Sequence, residues 1–299
     1  MGGTIAAHPT SNFQIQIQNV YMSANQNRAV AKLLALPVAW LVAVYFGSLA
    51  LLLLTAFFSV DSFTNQVVHI FTVDNFVTVF SDSAYFKSTL RTLGVATSVT
   101  IVCIVIALPM SFYMARIASK SSRNILIALV LTPLWASYLV KVYSWRTMFT
   151  PDTGVLASIL RPLGIGSPGY GLFAVVVTLT YMWLPYMILP IYAGLERLPN
   201  SLLDASSDLG ASTKQTLRDV VLPILKPAVI AGSIFTFSLS LGDYITVQIV
   251  GGTSQMLGNV VYQNFQLNLP FAAAVAVIPV VIMVGYLTAV RRSGALENL

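Results

Sequence analysis

The stretch "DASSDLGASTKQTLRDVVLP", Asp204 to Pro223, sets five charged residues into twenty positions of a chain in which only 9% of residues are charged. Its local signals are those of a short helical elbow. Ser201 followed by Asp204 reads as a variant capping box, with the carboxylate also favouring the positive end of a helix. Leu202, Leu203, Ala205 and Leu209 give a short apolar stripe at helical spacing, and Gly210 can take the left-handed conformation that ends it. Thr213 to Leu222 then predicts a second helix, ending at Pro223, where the chain turns back toward apolar sequence. The small residues Ala205, Ser206, Ser207 and Ala211 would let a partner approach closely.

Outward from the elbow the sequence is overwhelmingly apolar. The chain has 299 residues, is 57% hydrophobic and has a mean hydropathy of +0.80, far from the roughly 25% charged composition of soluble domains. A hydrocarbon layer of about 30 Å needs roughly 20 apolar residues per helical span. Apolar runs at Leu33 to Phe58, Thr89 to Ala115, Asn124 to Phe149, Tyr170 to Leu195, Ile224 to Val250 and Leu269 to Val290 predict an all-α membrane protein with six transmembrane helices. The expected organisation is an N-terminal extension over 1–32, a transmembrane domain over 33–292 with a polar loop over 196–223, and a tail over 293–299. Residues 1–28 lack the basic-then-apolar order of a cleaved signal. Pro109, Pro133, Pro185 and Pro279 fall in or near the spans and predict kinks, with neighbouring helices satisfying freed carbonyls.

Orientation follows from the cations. With the N-terminus inside, Arg28, Lys32, Arg116, Lys120, Arg123, Arg197, Lys214, Arg218, Lys226, Arg291 and Arg292 share one side, eleven of the sixteen Lys and Arg. Lys87, Arg91, Lys141, Arg146 and Arg161 take the other, so both termini and the elbow are expected in the cytoplasm. The net charge of +6 is thereby a matter of topology, and no nucleic-acid partner is implied. Lys141 and Arg146 interrupt the outer end of the third run and are expected to snorkel or face protein.

Several chemistries are excluded. Cys103 is the single cysteine and lies in the apolar run "VTIVCIVIAL", which reads as packing. His8 and His69 are isolated, so no metal site is indicated. No G-x-x-x-x-G-K-S/T phosphate loop occurs. Convergent histidines and nucleophile–base pairs are likewise missing, which argues against an enzyme.

At the elbow the residues resemble the permease subunits of binding-protein-dependent ABC importers. That family's cytoplasmic signature is Glu-Ala-Ala, three residues, Gly, nine residues, then Ile-x-Leu-Pro. Here Asp204-Ala205-Ser206 is followed at the same spacings by Gly210 and by Val220-Val221-Leu222-Pro223, with Asp204 and Ser206 as mild departures. The stretches "PLWASYLVKVYSW" (Pro133 to Trp145), "YMWLPYMILPIYAGLERLP" (Tyr181 to Pro199) and "LGDYITVQIVGG" (Leu241 to Gly252) are most similar to the spermidine/putrescine branch.

The resemblance implies a type I importer permease in a bacterial inner membrane, and an elbow that docks on an ATPase through Asp204, Ala205, Ser206, Gly210, Leu222 and Pro223. It also implies a second, homologous permease, two copies of an ABC ATPase carrying ATP and Mg, an external substrate-binding protein, and no cofactor on this chain. Permeases for amino-acid-like compounds, phosphonates or ferric ion, and an ion-driven secondary transporter, are the alternatives. A polyamine path calls for aromatic faces and oxygens that meet ammonium groups. Asp243 is the one carboxylate within an apolar run, either a cation contact or half of an ion pair with Lys141 or Arg146. Trp135, Tyr138, Tyr181, Trp183 and Tyr244 could supply faces, or serve as interfacial belt and packing residues. Glu196 and Arg197 are expected to anchor the cytoplasmic end of the fourth helix. The uncharged stretch "GGTSQMLGNVVYQNFQLNL" reads either as a contact for the binding protein or as a glycine turn followed by an interfacial helix.

Overall fold

The computed structural model describes residues 33–61, 64 and 66–292. The expectations for 1–32, which include His8, Arg28 and Lys32, and for the tail 293–299 lie outside the described residues. The chain divides into two units, one ending at Leu54 and one starting at Thr55.

Helix α1, Leu33–Thr55, has 23 residues with a mean hydropathy of 2.2, and all but its last residue belong to the first unit. At 1.5 Å per residue it is about 34 Å long, enough to cross a bilayer core. A wide π-turn, Val42–Phe46, lies within it.

The second unit opens with a two-residue antiparallel hairpin, β1 (Ser59–Val60) and β2 (Val67–Val68), in which Ser59 faces Val68 and Val60 faces Val67. Helix α2 (Asp74–Ser81) follows, and the Asn75 amide donates to the carbonyls of Ala56 and Phe58, just before the hairpin, at 2.9 and 2.8 Å. The remaining helices are α3 (Ser83–Ile117), α4 (Lys120–Trp135), α5 (Tyr138–Phe149), α6 (Val155–Leu160), α7 (Leu172–Arg197), α8 (Asn200–Asp208), α9 (Thr213–Leu241), α10 (Ile245–Val250), α11 (Leu257–Asn264) and α12 (Leu269–Arg292).

Among the described residues, α1, α3, α7, α9 and α12 are long and apolar enough to span a membrane, and the pair α4 and α5 brings the count to six if taken as one span. That pair corrects the third run. Instead of a straight span, the chain bends by 99° between α4 and α5, because Ala136 and Ser137 are extended, with ψ of 143° and 138°. Pro133 lies in the last turn of α4, and its carbonyl, which has lost a helical partner, accepts from Lys141 Nζ at 3.0 Å. The ammonium therefore sits at the negative end of the α4 dipole, which explains a lysine that is 9% exposed. Pro109, Pro185 and Pro279 are carried inside α3, α7 and α12 without ending them.

Helix α7 is the centre of the bundle and packs against α3 and α9. Leu179, Met182, Met187 and Ile191 of α7 are fully buried in one cluster with Val99 and Cys103 of α3. Close approach is built in at Gly232 of α9, where an added Cβ would lie 2.7 Å from Met187 Sδ and 3.1 Å from its Cα. Small residues of this kind let membrane helices associate without a hydrophobic driving force. Polar cross-links supplement the packing: the Ser111 hydroxyl donates to the Ile188 carbonyl at 3.2 Å, and the Cys103 thiol to that of Thr180 at 3.7 Å. A second cluster, including Val79, Val260, Phe271 and Ala274, joins α2, α11 and α12. The stretch after α10 is a glycine turn leading into α11.

Candidate functional site

The elbow forms, with two corrections. Helix α8 begins at Asn200 after Pro199, and no side chain caps it. Pro199 itself takes the cap position in an extended conformation, with ψ 138°, so Ser201 and Asp204 already lie inside the helix and the expected capping box is not made. At the other end Gly210 has φ +79°. The N–H groups of Gly210 and Ala211 bond back to the carbonyls of Ser207 and Ser206 at 2.9 and 3.1 Å, the double closure that a left-handed glycine permits. A true capping box stands two residues further on. The Ser212 N–H donates to Gln215 Oε1 at 2.8 Å, and Ser212 Oγ accepts from the Gln215 N–H at 3.4 Å.

The second correction concerns Pro223. Helix α9 runs unbroken from Thr213 to Leu241, and Pro223 lies in a regular segment just after a wide π-turn, Leu217–Val221. A proline lacks the N–H and crowds the preceding turn; the wider turn absorbs this and the helix continues. The two arms are tied where Ser206 Oγ and Thr216 Oγ1 share a hydrogen bond of 2.8 Å. Asp204, Ala205 and Leu209 are exposed while Ser206 is buried.

At the base of the elbow, Arg116 from the end of α3 donates to the carbonyls of Leu195 and Leu198 and to Asn200 Oδ1, each at 2.5 Å. Arg123 of α4 donates to the carbonyls of Met114 and Ala115 at 3.1 and 3.3 Å and lies 3.8 Å from Glu196. The Tyr192 hydroxyl donates to the same carboxylate at 2.5 Å. Glu196 thus has the anchoring place expected of it.

A second constellation lies at the opposite end of α9. Helix α9 stops at Leu241, and Asp243 sits two residues further on, in the break before α10. Asp243 is 7% exposed. Its Oδ1 accepts from the Thr246 N–H at 2.8 Å, three residues on, as a helix cap does. Its Oδ2 accepts from the Tyr138 hydroxyl, which also shares a hydrogen bond of 2.8 Å with Thr246 Oγ1. Among the described residues no cation pairs with Asp243, so the alternative of an ion pair with Lys141 or Arg146 gives way to hydroxyl and amide donors. The Tyr138 and Trp183 rings lie 6.3 Å apart, and Trp183 Nε1 is buried without a partner.

The structure therefore gathers Asp243, Tyr138 and Trp183 into one cluster. Tyr244 turns to the neighbouring side, stacks on Tyr262 at 4.7 Å, and lines a cavity of about 440 Å3 with Tyr143, Arg146 and Gln248. Tyr181 pairs with Trp145 at 5.5 Å instead, and Trp135 is 91% exposed; neither joins the cluster. Close to this cavity, the hydrogen bond with Thr150 and the charge of Arg146 hold the Tyr170 phenol below its ordinary pKa.

Residues 100–293 match the family described as binding-protein-dependent transport system inner membrane component. Over 283 residues the chain is 42% identical to the inner membrane ABC transporter permease protein YdcU of Escherichia coli, covering 88% of this chain and 89% of that one. It is 32% identical over 269 residues to the spermidine/putrescine transport system permease protein PotB of Escherichia coli, covering 87% and 96%. In fold it is similar to a chain of the bacterial alginate ABC transporter in complex with alginate pentasaccharide-bound periplasmic protein, with a TM-score of 0.69, 14% identity, and 91% and 97% coverage. Fold and relatives define a type I ABC importer permease, a multi-span inner-membrane subunit that leaves ATP hydrolysis to a separate chain. The protein belongs to the family of binding-protein-dependent transport system inner membrane components.

Sequence reasoning missed Arg116, Arg123 and Thr216. Arg116 directly follows one apolar run and Arg123 directly precedes the next, and topology alone accounted for them; a cation at the edge of a span, facing a second polar segment, is the signal that would have singled them out.

Proposed function

We propose that the chain is one of two homologous permeases in a polyamine importer and lines the path for spermidine or putrescine handed over by an external binding protein. The observation that carries this reading is the 32% identity to a spermidine/putrescine permease over nearly the whole chain. The cluster of Asp243, Tyr138 and Trp183 adds a carboxylate and aromatic faces suited to ammonium groups. The bias of cations supports a cytoplasmic elbow and cytoplasmic termini. There the exposed Asp204, Ala205 and Gly210, with Ser206, Leu222 and Pro223 shaping the arms, dock on one of two ATPase copies, whose ATP and Mg drive alternating access. Loaded binding protein and ATP favour different states of the permease pair, and that difference moves the substrate.

Uptake of labelled spermidine and putrescine by cells lacking the gene, and by the same cells with it restored, tests the reading at low external substrate. Loss and rescue support it. Unchanged uptake in cells without a second polyamine system refutes the polyamine assignment.

An amino-acid-like solute is the second reading, and one observation favours it. The cavity lined by Tyr143, Tyr244, Gln248 and Tyr262 has Arg146 as its one formally charged lining residue, which suits a carboxylate better than a wholly cationic chain. Competition by unlabelled amino acids in the same uptake assay decides between the two.

A further inference from the structure

The end of α3 and the elbow face each other across a cavity of about 580 Å3, walled by Phe112 and Ile117 on one side and Leu203, Ala211 and Leu217 on the other. Apolar walls supply no directional bonds. The polar link is made by the guanidinium of Arg116, which reaches Leu195 in the last turn of α7, Leu198 in the connection, and Asn200, the first residue of α8. Carbonyls at a helix end have no intrahelical donor, and the planar fork of an arginine can serve several acceptors at fixed angles where a lysine cannot. At the far end of the elbow Leu209 is 88% exposed, while the two arms are held to each other by the Ser206–Thr216 hydrogen bond.

We infer that Arg116 is the positioning residue that makes the elbow a lever on α3: it pins the base, the cavity gives the tip room to swing, and displacement of the tip reaches the bundle through α3. This rests on the elbow being the ATPase-coupling segment.

The test uses the complete importer with its binding protein in lipid vesicles, and measures substrate imported per ATP hydrolysed for the wild type, Arg116→Lys and Arg116→Met. Copurification of the ATPase reports assembly. Spin labels on Leu209→Cys and Val105→Cys, in a Cys103→Ser background, report the distance from elbow tip to α3 with and without ATP. In Arg116→Met, hydrolysis should stay within about twofold while import per ATP falls about tenfold, a size typical of coupling changes. Arg116→Lys should recover part of the loss, and the label distance in Arg116→Met should broaden and cease to shift with ATP. Wild-type import per ATP in Arg116→Met overturns the inference, as does a parallel fall of import and hydrolysis with an unaltered distance distribution. Gly210→Val separates the two layers. Normal uptake there removes the coupling reading itself, whereas impaired Gly210→Val beside normal Arg116→Met removes only the role of Arg116.

Discussion

Ser206 and Thr216 share a hydrogen bond of 2.8 Å across the Gly210 turn, joining the two arms of the elbow at a buried serine. The family signature has alanine where this chain has Ser206, so the departure is matched by a hydroxyl ten residues on. The pair converts a tight turn into a closed clasp, and its geometry depends on the left-handed residue between the arms.

Breaking one half of the clasp should cost more than removing both. Thr216→Val leaves the Ser206 hydroxyl without its partner, whereas Ser206→Ala combined with Thr216→Val leaves no orphan. A buried hydroxyl left unsatisfied costs about 1–3 kcal/mol, and apolar replacement of both partners approaches neutrality. Thermal melting of the purified permease should therefore rank the double variant above Thr216→Val. The reverse order would show that the hydroxyl pair does not bear on stability.

Gly232 should tolerate no side chain. A Cβ there would sit 2.7 Å from Met187 Sδ and 3.1 Å from Met187 Cα, and the second contact is with backbone that cannot swing aside. Overpacking of this kind costs about 1–3 kcal/mol. Gly232→Val should lower the melting temperature and the yield of inserted permease, while Gly285→Val, at a glycine with open space around it, should leave both near wild type.

What the sequence disclosed was local, and what it concealed was relational. The left-handed turn at Gly210 was readable because a glycine at the end of an apolar stripe has one common explanation. Pro223 was misread because the relief came from a π-turn centred on Leu217 to Val221, which no residue type announces. Hydropathy located the run Asn124 to Phe149 but has no sense of direction, so the 99° bend was invisible. Asp243 was recognised as unusual, yet its partner Tyr138 lies 105 residues away in sequence, and only the folding of α5 against α10 brings them together.

The Asp243 cluster makes a prediction that separates substrate contact from architecture. Tyr138→Phe removes one donor and keeps the ring, the carboxylate and the Thr246 N–H bond. Asp243→Asn keeps the shape and an acceptor for Thr246 while removing the charge. If ammonium groups meet the carboxylate, Asp243→Asn should raise the half-saturating concentration for polyamine uptake while Tyr138→Phe leaves it nearly unchanged. Equal losses in both, accompanied by lower melting temperatures, would mark the cluster as a latch between α5 and the α9–α10 break.

Gly210 offers the sharpest separation of transport from hydrolysis. Its φ of +79° lies where L-residues pay about 1–2 kcal/mol, and a β-branched side chain is the least suited to it. Space is not the obstacle, since nothing lies within 4 Å of a Cβ built at this position; the strain is in the backbone alone. Gly210→Val should therefore leave the bundle inserted, because the core around α7 is untouched, while reopening the turn and shifting Leu209 and Ala211. Asparagine tolerates the left-handed region better than other side chains, so Gly210→Asn should retain much of the uptake that Gly210→Val loses. With insertion confirmed by membrane fractionation, uptake in the order wild type, Gly210→Asn, Gly210→Val would tie transport to the turn's conformation. Equal loss in both variants would instead point to a partner surface that excludes any side chain at this tip.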